Sequence, residues 1–195
     1  MKLTQRRLHD RARKVKLLLM DVDGVLTDGR IYYLPAPDAR QRRRLTPDSR
    51  PVFETKTFHS RDGLGLRLAQ KAGLLLGVIS GRRSPVVEYR AHELDFDFIE
   101  QHALEKLEPY QNVLRAARVR DDQVCYMGDD IVDLPILTRV GLAVSVADGH
   151  PLLRKHVHYV TRARGGLGAV REAIELILTA QGKFEAVLEH YLGRQ

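Results

Sequence analysis

Acidic residues gather at two places in this chain, each directly after a short and mostly apolar run. Asp21 and Asp23 follow the run Val15–Met20, and a second acidic group lies within Gly128–Asp133. Carboxylates so close together repel one another unless a cation or a shared proton relieves them. Mg²⁺ is the expected cation, because it takes one or two carboxylates together with the phosphate oxygens of a substrate.

The chain also offers the other groups that phosphoryl transfer requires. A carboxylate such as Asp21 can attack phosphorus and form an aspartyl-phosphate, while Asp23 can protonate the leaving alcohol and then activate water. The Ser80 hydroxyl and the Lys106 ammonium can hold phosphate oxygens, and we expect Asp133 to orient Lys106 or a water. Each residue alone is also explained as a turn, a helix cap or a surface charge. Their joint occurrence at successive strand ends favours a site.

Apolar runs alternate with helix-like stretches, which predicts βαβ units and a Rossmann-like, doubly wound parallel sheet of the α/β class. The predicted strands are Val15–Met20, Leu74–Ser80, Phe98–Ile99, Gln123–Met127, Leu142–Val146 and Tyr159–Val160. The predicted helices are Gly63–Ala72, Pro85–Glu93, Pro109–Arg118, Asp133–Val140 and Gly168–Ala180, with a continuation past Gly182 to Leu192 left open. Because open α/β sheets bind ligands at the carboxyl ends of their strands, the acidic groups would share one edge.

A single domain spanning residues 1–195 fits the composition. The chain has 195 residues, of which 44% are hydrophobic, and typical domains contain about 100–200 residues. Residues 29–58 interrupt the alternation, because Arg30–Leu34 and Phe53–Phe58 are predicted to pair as a β-hairpin with a long tip rich in Pro and Arg. Residues 1–14 are interpreted as a basic and helical N-terminal arm, and residues 183–195 as a C-terminal tail.

The net charge of +7 is unevenly distributed. Residues 1–16 contain seven basic residues against one acidic residue, and residues 36–50 contain five against two, which leaves a net charge of −2 for the rest of the chain. A basic patch can bind phosphates electrostatically. Nucleic-acid binding is nevertheless disfavoured, because neither interleaved aromatic residues nor a DNA- or RNA-binding module accompanies the patch.

The single cysteine and the short apolar runs indicate the cellular compartment in which the protein is expected. Cys125 alone cannot form a disulfide framework or a CxxC zinc site, which fits a reducing cytosol. No apolar run reaches the roughly 20 residues that cross a bilayer, and the run after the basic N-terminus is too short for a signal peptide. We therefore expect a cytoplasmic protein with no membrane partner.

At these positions the sequence resembles the haloacid dehalogenase superfamily of phosphotransferases, from about Leu17 to Lys183. Four signatures occur in order, namely Asp21–Thr27, Ser80, Lys106, and Gly128-Asp129 with Asp133. Further stretches resemble the family of 3-deoxy-D-manno-octulosonate (KDO) 8-phosphate phosphatases: Thr57–Gly65, Ile79–Arg82, Gly128–Pro135, Val146–Asp148 with His150-Pro151, and Gly165–Glu172 followed by Gln181–Lys183. The resemblance implies a cap-less haloacid dehalogenase fold with a hairpin insertion after the first strand.

The resemblance also implies an activity and a set of site residues. It implies a Mg²⁺-dependent homotetramer, with hairpins in a central barrel and a neighbouring subunit over each site, that hydrolyses a sugar-acid phosphate through an aspartyl-phosphate. By motif, Asp21 would be nucleophile and metal ligand, Asp23 acid/base and metal ligand through its backbone carbonyl, and Asp129 the third ligand. Ser80 and Lys106 would hold the phosphoryl group. The implied substrate contacts are Asp23, His59, Ser60, Arg61, Asp62, Gly63, Arg67, Arg82, Arg90 and Lys106.

Three alternatives stay open at this point. The substrate could be a nine-carbon nonulosonate 9-phosphate rather than KDO 8-phosphate, and the substrate arginines do not separate the two. A receiver-like signalling module also uses an acidic Mg²⁺ site, and a non-catalytic oligomerisation domain could share the fold. Three features depart from the family. The hairpin tip is lengthened by residues 36–50, which include Arg40–Arg44, Ser60 stands where the family usually has Val, and the tail after Lys183 is more helical.

Overall fold

This computed structural model of the chain describes residues 4–35 and 52–193. Over these ranges the strands are β1 Leu17–Met20, β2 Tyr32–Pro35, β3 Val52–Thr55, β4 Leu75–Ile79, β5 Phe98–Glu100, β6 Val124–Gly128, β7 Leu142–Ser145 and β8 Tyr159–Val160. The α-helices are α1 Gln5–Ala12, α2 Ser60–Lys71, α3 Pro85–Glu93, α4 Leu107–Ala117, α5 Leu134–Leu137, α6 Ala169–Ala180 and α7 Phe184–Tyr191. Within the described residues, no helix has the length and apolar character needed to cross a membrane.

Six of the strands form one parallel sheet in the order β5-β4-β1-β6-β7-β8. Strand β1 lies inside the sheet, where Leu18 is opposite Leu76 of β4 on one side and Cys125 of β6 on the other. The chain winds from β1 outward to β5 and then returns beside β1 to build β6, β7 and β8. This order confirms the doubly wound α/β prediction and places a ligand crevice at the carboxyl end of β1.

The residues of β1 supply both layers of the core. Leu18 and Met20 pack in the layer that contains α2, α3 and α6, whereas Leu17 and Leu19 pack in the layer that contains α4 and α5. All four side chains are fully buried. A strand covered on both faces has a continuous apolar run rather than an alternating one, which is why this segment was recognisable in the sequence.

The predicted hairpin is present as a separate two-stranded sheet. Strands β2 and β3 are antiparallel, with Tyr32 opposite Thr55. The second strand ends at Thr55, earlier than the predicted end at Phe58. Residues 56–59 instead run in a non-regular conformation into α2. The hairpin tip with Arg40–Arg44 lies outside the described residues.

Helix predictions differ from the structure mainly at their ends, as in α4, which spans Leu107–Ala117 rather than Pro109–Arg118. Helix α2 begins at Ser60 rather than Gly63, because His59 caps it by accepting a hydrogen bond from the backbone N–H of Arg61 at 3.1 Å. The predicted helix Asp133–Val140 is only the short α5, preceded by a 3₁₀ turn. The continuation past Gly182 that the sequence left open is a separate helix, because Gly182 adopts φ +68° and separates α6 from α7.

Candidate active site

The loop after β1 carries both acidic residues of the first motif. The Asp21 backbone N–H donates to the carbonyl of Met127 at 2.9 Å, and the Asp21 carboxylate accepts from the N–H of Val22 at 2.7 Å. The loop closes as one turn over Val22–Leu26, in which Gly24 has φ +89°. A Cβ at Gly24 would overlap the carboxylate of Asp129. Glycine is therefore required here, both for the backbone conformation and for the contact between the two acidic motifs.

A buried network joins the nucleophile candidate to a lysine. The Lys106 ammonium lies 2.9 Å from Oδ2 of Asp21 and 2.7 Å from Oδ1 of Asp133, and the Tyr126 hydroxyl donates to the same Asp133 oxygen at 2.7 Å. Burial would lower the pKa of Lys106, but the two carboxylates outweigh it and raise that pKa above its ordinary value. Of the two partners predicted for Asp133, Lys106 or a water, the structure shows the contact with Lys106.

Three carboxylates around this network could hold a cation. Single oxygens of Asp21, Asp129 and Asp133 all lie within 4.8 Å of one another. Burial raises the pKa of Asp21 to about 6, although Lys106 opposes the shift. Burial and the charges of Asp21 and Asp133 raise the pKa of Asp129 to about 7. This set of hard oxygen donors with excess negative charge fits a hard divalent metal ion.

Both carboxylate oxygens of Asp133 already accept hydrogen bonds from other groups of the protein. Its Oδ2 accepts from the backbone N–H groups of Asp129 at 3.0 Å and Asp130 at 3.3 Å, and its Oδ1 serves Lys106 and Tyr126. Asp21 and Asp129 are therefore the carboxylates of this group that are left for a metal ion, as the motif implies.

Ser80 lies at the same edge of the sheet, directly after β4. Its residue is 2% exposed, its N–H donates to the carbonyl of Glu100 at 2.8 Å, and its Oγ accepts from the N–H of Arg82 at 3.3 Å. Since β4 pairs with β1 and Val78 is opposite Met20, Ser80 and Asp21 emerge from neighbouring strands.

A second charged group surrounds Asp23. The Lys56 ammonium contacts Oδ1 of Asp23 and lies 3.2 Å from Oε1 of Glu54. Arg82 donates to Oε2 of Glu54 at 2.7 Å and to the Tyr33 hydroxyl at 3.2 Å, and its Nε lies 3.9 Å from Oδ2 of Asp23. Burial would raise the pKa of Glu54, but the Arg82 hydrogen bond and the Lys56 charge lower it below its ordinary value.

Sequence reasoning missed Lys56, Glu54 and Tyr126. Glu54 and Lys56 are two residues apart at the end of a strand, and this spacing puts side chains on one face. Tyr126 is a phenol in the middle of a buried strand, and a buried tyrosine hydroxyl usually has a hydrogen-bond partner. Both signals were available in the sequence.

Comparison with known proteins decides the family. A profile of haloacid dehalogenase-like hydrolases matches residues 89–174. The 3-deoxy-D-manno-octulosonate 8-phosphate phosphatase of Yersinia pestis is 41% identical over 175 residues, which cover 90% of this chain and 86% of that protein. The chain belongs to the KDO 8-phosphate phosphatase family.

Solved structures agree with this membership. A probable YrbI family phosphatase from Pseudomonas syringae has a TM-score of 0.86 at 40% identity, covering 96% of this chain and 98% of that one. The KDO 8-phosphate phosphatase of Moraxella catarrhalis, solved with a magnesium ion, a phosphate ion and KDO, has a TM-score of 0.85 at 34% identity, with coverages of 96% and 99%. The haloacid dehalogenase fold is thereby confirmed.

The substrate stretch that this phosphatase family implies begins at the N-terminal end of α2. Ser60 and Arg61 are exposed in the first turn, directly after the capping His59. Gly63 allows Arg90 to approach, because a Cβ there would clash with the Arg90 guanidinium. Arg90 in turn lies over the Phe58 ring, 5.7 Å from its centroid, and pairs with Glu93 at 2.7 Å.

Two residues of the implied substrate set have other partners. Asp62 is fully buried, and its carboxylate accepts from the backbone N–H groups of Gly168 at 3.0 Å and Arg171 at 2.8 Å. Burial raises its pKa, against the effect of these two amides. Asp62 thus caps the start of α6, and its contact with a substrate stays a prediction. Arg67 pairs with Asp95 at 3.0 Å.

Proposed function

We propose that this protein is a phosphatase that hydrolyses a sugar-acid phosphate, KDO 8-phosphate, to KDO and inorganic phosphate. The observation that carries the proposal is the buried contact of 2.9 Å between the Asp21 carboxylate and the Lys106 ammonium, at the carboxyl end of the central strand. Phosphoryl transfer needs mainly a positioned nucleophile and neutralised phosphate oxygens, and this pair supplies both. The family membership of the chain supports the same activity.

In the first half-reaction, a carboxylate oxygen of Asp21 attacks the phosphorus of the ester. The phosphorus–oxygen bond to the sugar breaks, and Asp23 gives its proton to the leaving sugar oxygen. Lys106 and the Ser80 hydroxyl hold the oxygens of the transferred phosphoryl group. Asp133 keeps Lys106 directed at the site through the contact of 2.7 Å.

In the second half-reaction, Asp23 acts in the opposite direction. Now deprotonated, it takes a proton from a water molecule as that water attacks the aspartyl-phosphate. The bond between phosphorus and the Asp21 oxygen breaks, which releases inorganic phosphate and restores the Asp21 carboxylate and the protonated Asp23 for the next turnover.

The carboxylates of Asp21 and Asp129, with the backbone carbonyl of Asp23, would hold a divalent cation, which we propose to be Mg²⁺. When bound, it would neutralise charge on the phosphoryl oxygens. The proposal predicts that chelation with EDTA abolishes turnover and that Mg²⁺ restores it. Restoration by Co²⁺ or Mn²⁺ but not by Mg²⁺ would contradict the choice of metal.

Arginines at the mouth of the site suit a substrate that carries both a phosphate and a carboxylate. Arg61 is exposed at the start of α2, and Arg82 extends from the loop after β4 towards the hairpin. Arginine binds carboxylates through two parallel hydrogen bonds. The sugar-acid carboxylate is therefore the proposed partner of these guanidinium groups.

A panel of substrates tests the assignment. We expect kcat/KM for KDO 8-phosphate to exceed that for a nine-carbon nonulosonate 9-phosphate by at least about tenfold, the ratio that 1.4 kcal/mol of differential binding gives. Equal values or the reverse preference would overturn the choice of substrate. Multiple turnover that is lost in Asp21→Asn would exclude a receiver-like or non-catalytic module.

We also propose that the working unit is a homotetramer in the cytoplasm. The hairpin supports the assembly, because Ile31, Tyr32, Tyr33 and Leu34 are all exposed, and exposed apolar clusters commonly mark interfaces. Cys125 is a buried free thiol, which suits a reducing compartment. Light scattering should give about four times the chain mass of 22.2 kDa, and the mass of one chain would refute the assembly.

A further inference from the structure

Lys56 is a buried charge that the mechanism above leaves unused. Its side chain has no exposed surface, although a buried ammonium is costly unless it is paired and hydrogen-bonded. Its described partners are the carboxylates of Asp23 and Glu54. Because Lys56 is held against the proposed acid/base residue Asp23, we expect its role to concern that residue.

The contacts of Lys56 belong to a ring of four charges. Lys56 joins Asp23 to Glu54, Glu54 accepts from Arg82 at 2.7 Å, and the Arg82 Nε returns to within 3.9 Å of Asp23. The four residues come from the loop after β1, the end of the hairpin and the loop after β4. Positive and negative members alternate around the ring, so every charge has two opposite neighbours.

The two carboxylate oxygens of Asp23 have different neighbours in the ring. Oδ1 faces the Lys56 ammonium, which can only donate hydrogen bonds, so this oxygen can only be an acceptor. Oδ2 faces Arg82 at 3.9 Å, beyond hydrogen-bonding distance. The Asp23 side chain is 20% exposed, whereas Lys56 is enclosed. Oδ2 is thus the oxygen left to carry a proton to a substrate.

We propose that Lys56 is a positioning residue for the acid/base carboxylate. It fixes Oδ1 of Asp23, so that Oδ2 is presented to the leaving oxygen of the substrate. The inference rests on the proposed phosphatase function and extends it, because it gives the hairpin a part in the chemistry in addition to any part in assembly. Proton transfer by a positioned side chain contributes about 10²- to 10⁴-fold to a rate, and that contribution depends on the orientation which Lys56 supplies.

Two esters with different leaving groups separate this role from a merely structural one. The sugar alkoxide of KDO 8-phosphate needs a proton in order to leave, whereas the nitrophenolate of p-nitrophenyl phosphate leaves without one. In Lys56→Met, we expect kcat/KM for KDO 8-phosphate to fall by about 10²-fold or more and kcat/KM for p-nitrophenyl phosphate to fall by less than about threefold. Asp23→Asn provides the reference for complete loss of the acid.

A conservative variant should restore what Lys56→Met loses. Lys56→Arg retains a donor to Oδ1, so the ratio of the two kcat/KM values should return to within about tenfold of that of the unaltered protein. Thermal unfolding of each variant, followed by circular dichroism, identifies those that fold. If Lys56→Met does not fold, Lys56→Leu, which likewise has no hydrogen-bond donor, takes its place with the same expected change in the ratio.

The outcomes are distinct. A selective loss on KDO 8-phosphate, rescued by Lys56→Arg, supports the positioning role. Equal losses on both esters, or no loss on either, would overturn it. If the unaltered protein itself does not hydrolyse KDO 8-phosphate, the proposed function fails first, and the selectivity between p-nitrophenyl phosphate and a simple alkyl phosphate still decides the role of Lys56.

Discussion

Replacing Asp133 by Asn would remove one negative charge from the most enclosed part of the site. Asp133 has no exposed surface, and its carboxylate has four partners, the side chains of Lys106 and Tyr126 and the backbone N–H groups of Asp129 and Asp130. An asparagine of the same shape has one acceptor oxygen and one donor group. Whichever way the amide is turned, its NH₂ group would face either the two backbone N–H groups or the Lys106 ammonium.

The expected loss of stability follows from these contacts. Removal of one member of a buried ion pair costs about 3–5 kcal/mol, because the other charge stays buried. In a chain of this size, 1 kcal/mol corresponds to about 2–4 °C in Tm. Asp133→Asn should therefore lower Tm by about 6–20 °C, even though the change replaces a single oxygen by a nitrogen.

Urea unfolding in EDTA, at equal protein concentration for each variant, measures this loss without a contribution from bound metal. Tyr126→Phe is the matched control, because Oδ1 of Asp133 keeps its bond to Lys106 when the phenol is removed. We expect a loss of about 1 kcal/mol for the control. A loss below about 1 kcal/mol for Asp133→Asn, or equal losses in the two variants, would refute the reasoning.

Four further predictions concern the carboxylates and the residues around them. Because the pKa values of Asp21 and Asp129 are raised to about 6 and about 7, protons compete with Mg²⁺ for these carboxylates. Below the pKa of each carboxyl group, the affinity for Mg²⁺ should fall by up to about tenfold per pH unit for each proton that Mg²⁺ must displace. Affinities measured by calorimetry that do not change between about pH 7.5 and about pH 5.5 would contradict this. The same raised pKa values mean that the folded state binds more protons than the unfolded state, so the stability of the metal-free protein should decrease as the pH rises from about 4 to about 7 in urea titrations. Gly24→Ala should reduce kcat by more than about tenfold, because the φ of +89° and the overlap with Asp129 both oppose a Cβ; steady-state kinetics with unaltered kcat would show that the loop can move aside. Asp62→Ala should cost about 1–3 kcal/mol in urea unfolding, without a change in KM, because the backbone amides of Gly168 and Arg171 at the start of α6 lose their acceptor. A raised KM at unaltered stability would instead support a contact of Asp62 with the substrate.

The parts of the fold that were predictable are those in which local pattern and burial coincide. The apolar run that became β1 is buried on both faces, so its composition alone indicated a central strand. The orientation of Lys106 by Asp133 was predictable because both residues belong to recognisable motifs at strand ends.

The parts that were not predictable depend on contacts between distant segments. Lys56 meets Asp23 across 33 positions, and Asp62 meets Gly168 and Arg171 across 106 and 109 positions. Asp62 stands in a motif that suggests substrate contact, and its hydrogen bonds to the start of α6 are not indicated by that motif. Burial of a particular side chain results from tertiary packing, which the spacing of residues in one motif does not report.

The basic helix α1 is docked at the edge of the sheet opposite the carboxylates. Arg11 donates to the carbonyl of Gly141 just before β7, Arg13 donates to the carbonyl of Ala180 at the end of α6, and Ala12 is fully buried. A strand of four residues is about 13 Å long, whereas charges are screened over about 8 Å at physiological ionic strength. The positive excess carried by α1 thus lies more than one screening length from the mouth of the site. If Arg61 and Arg82 contact the anionic substrate as proposed, we expect the dependence of kcat/KM on salt to report such local charges rather than the net charge of the whole molecule.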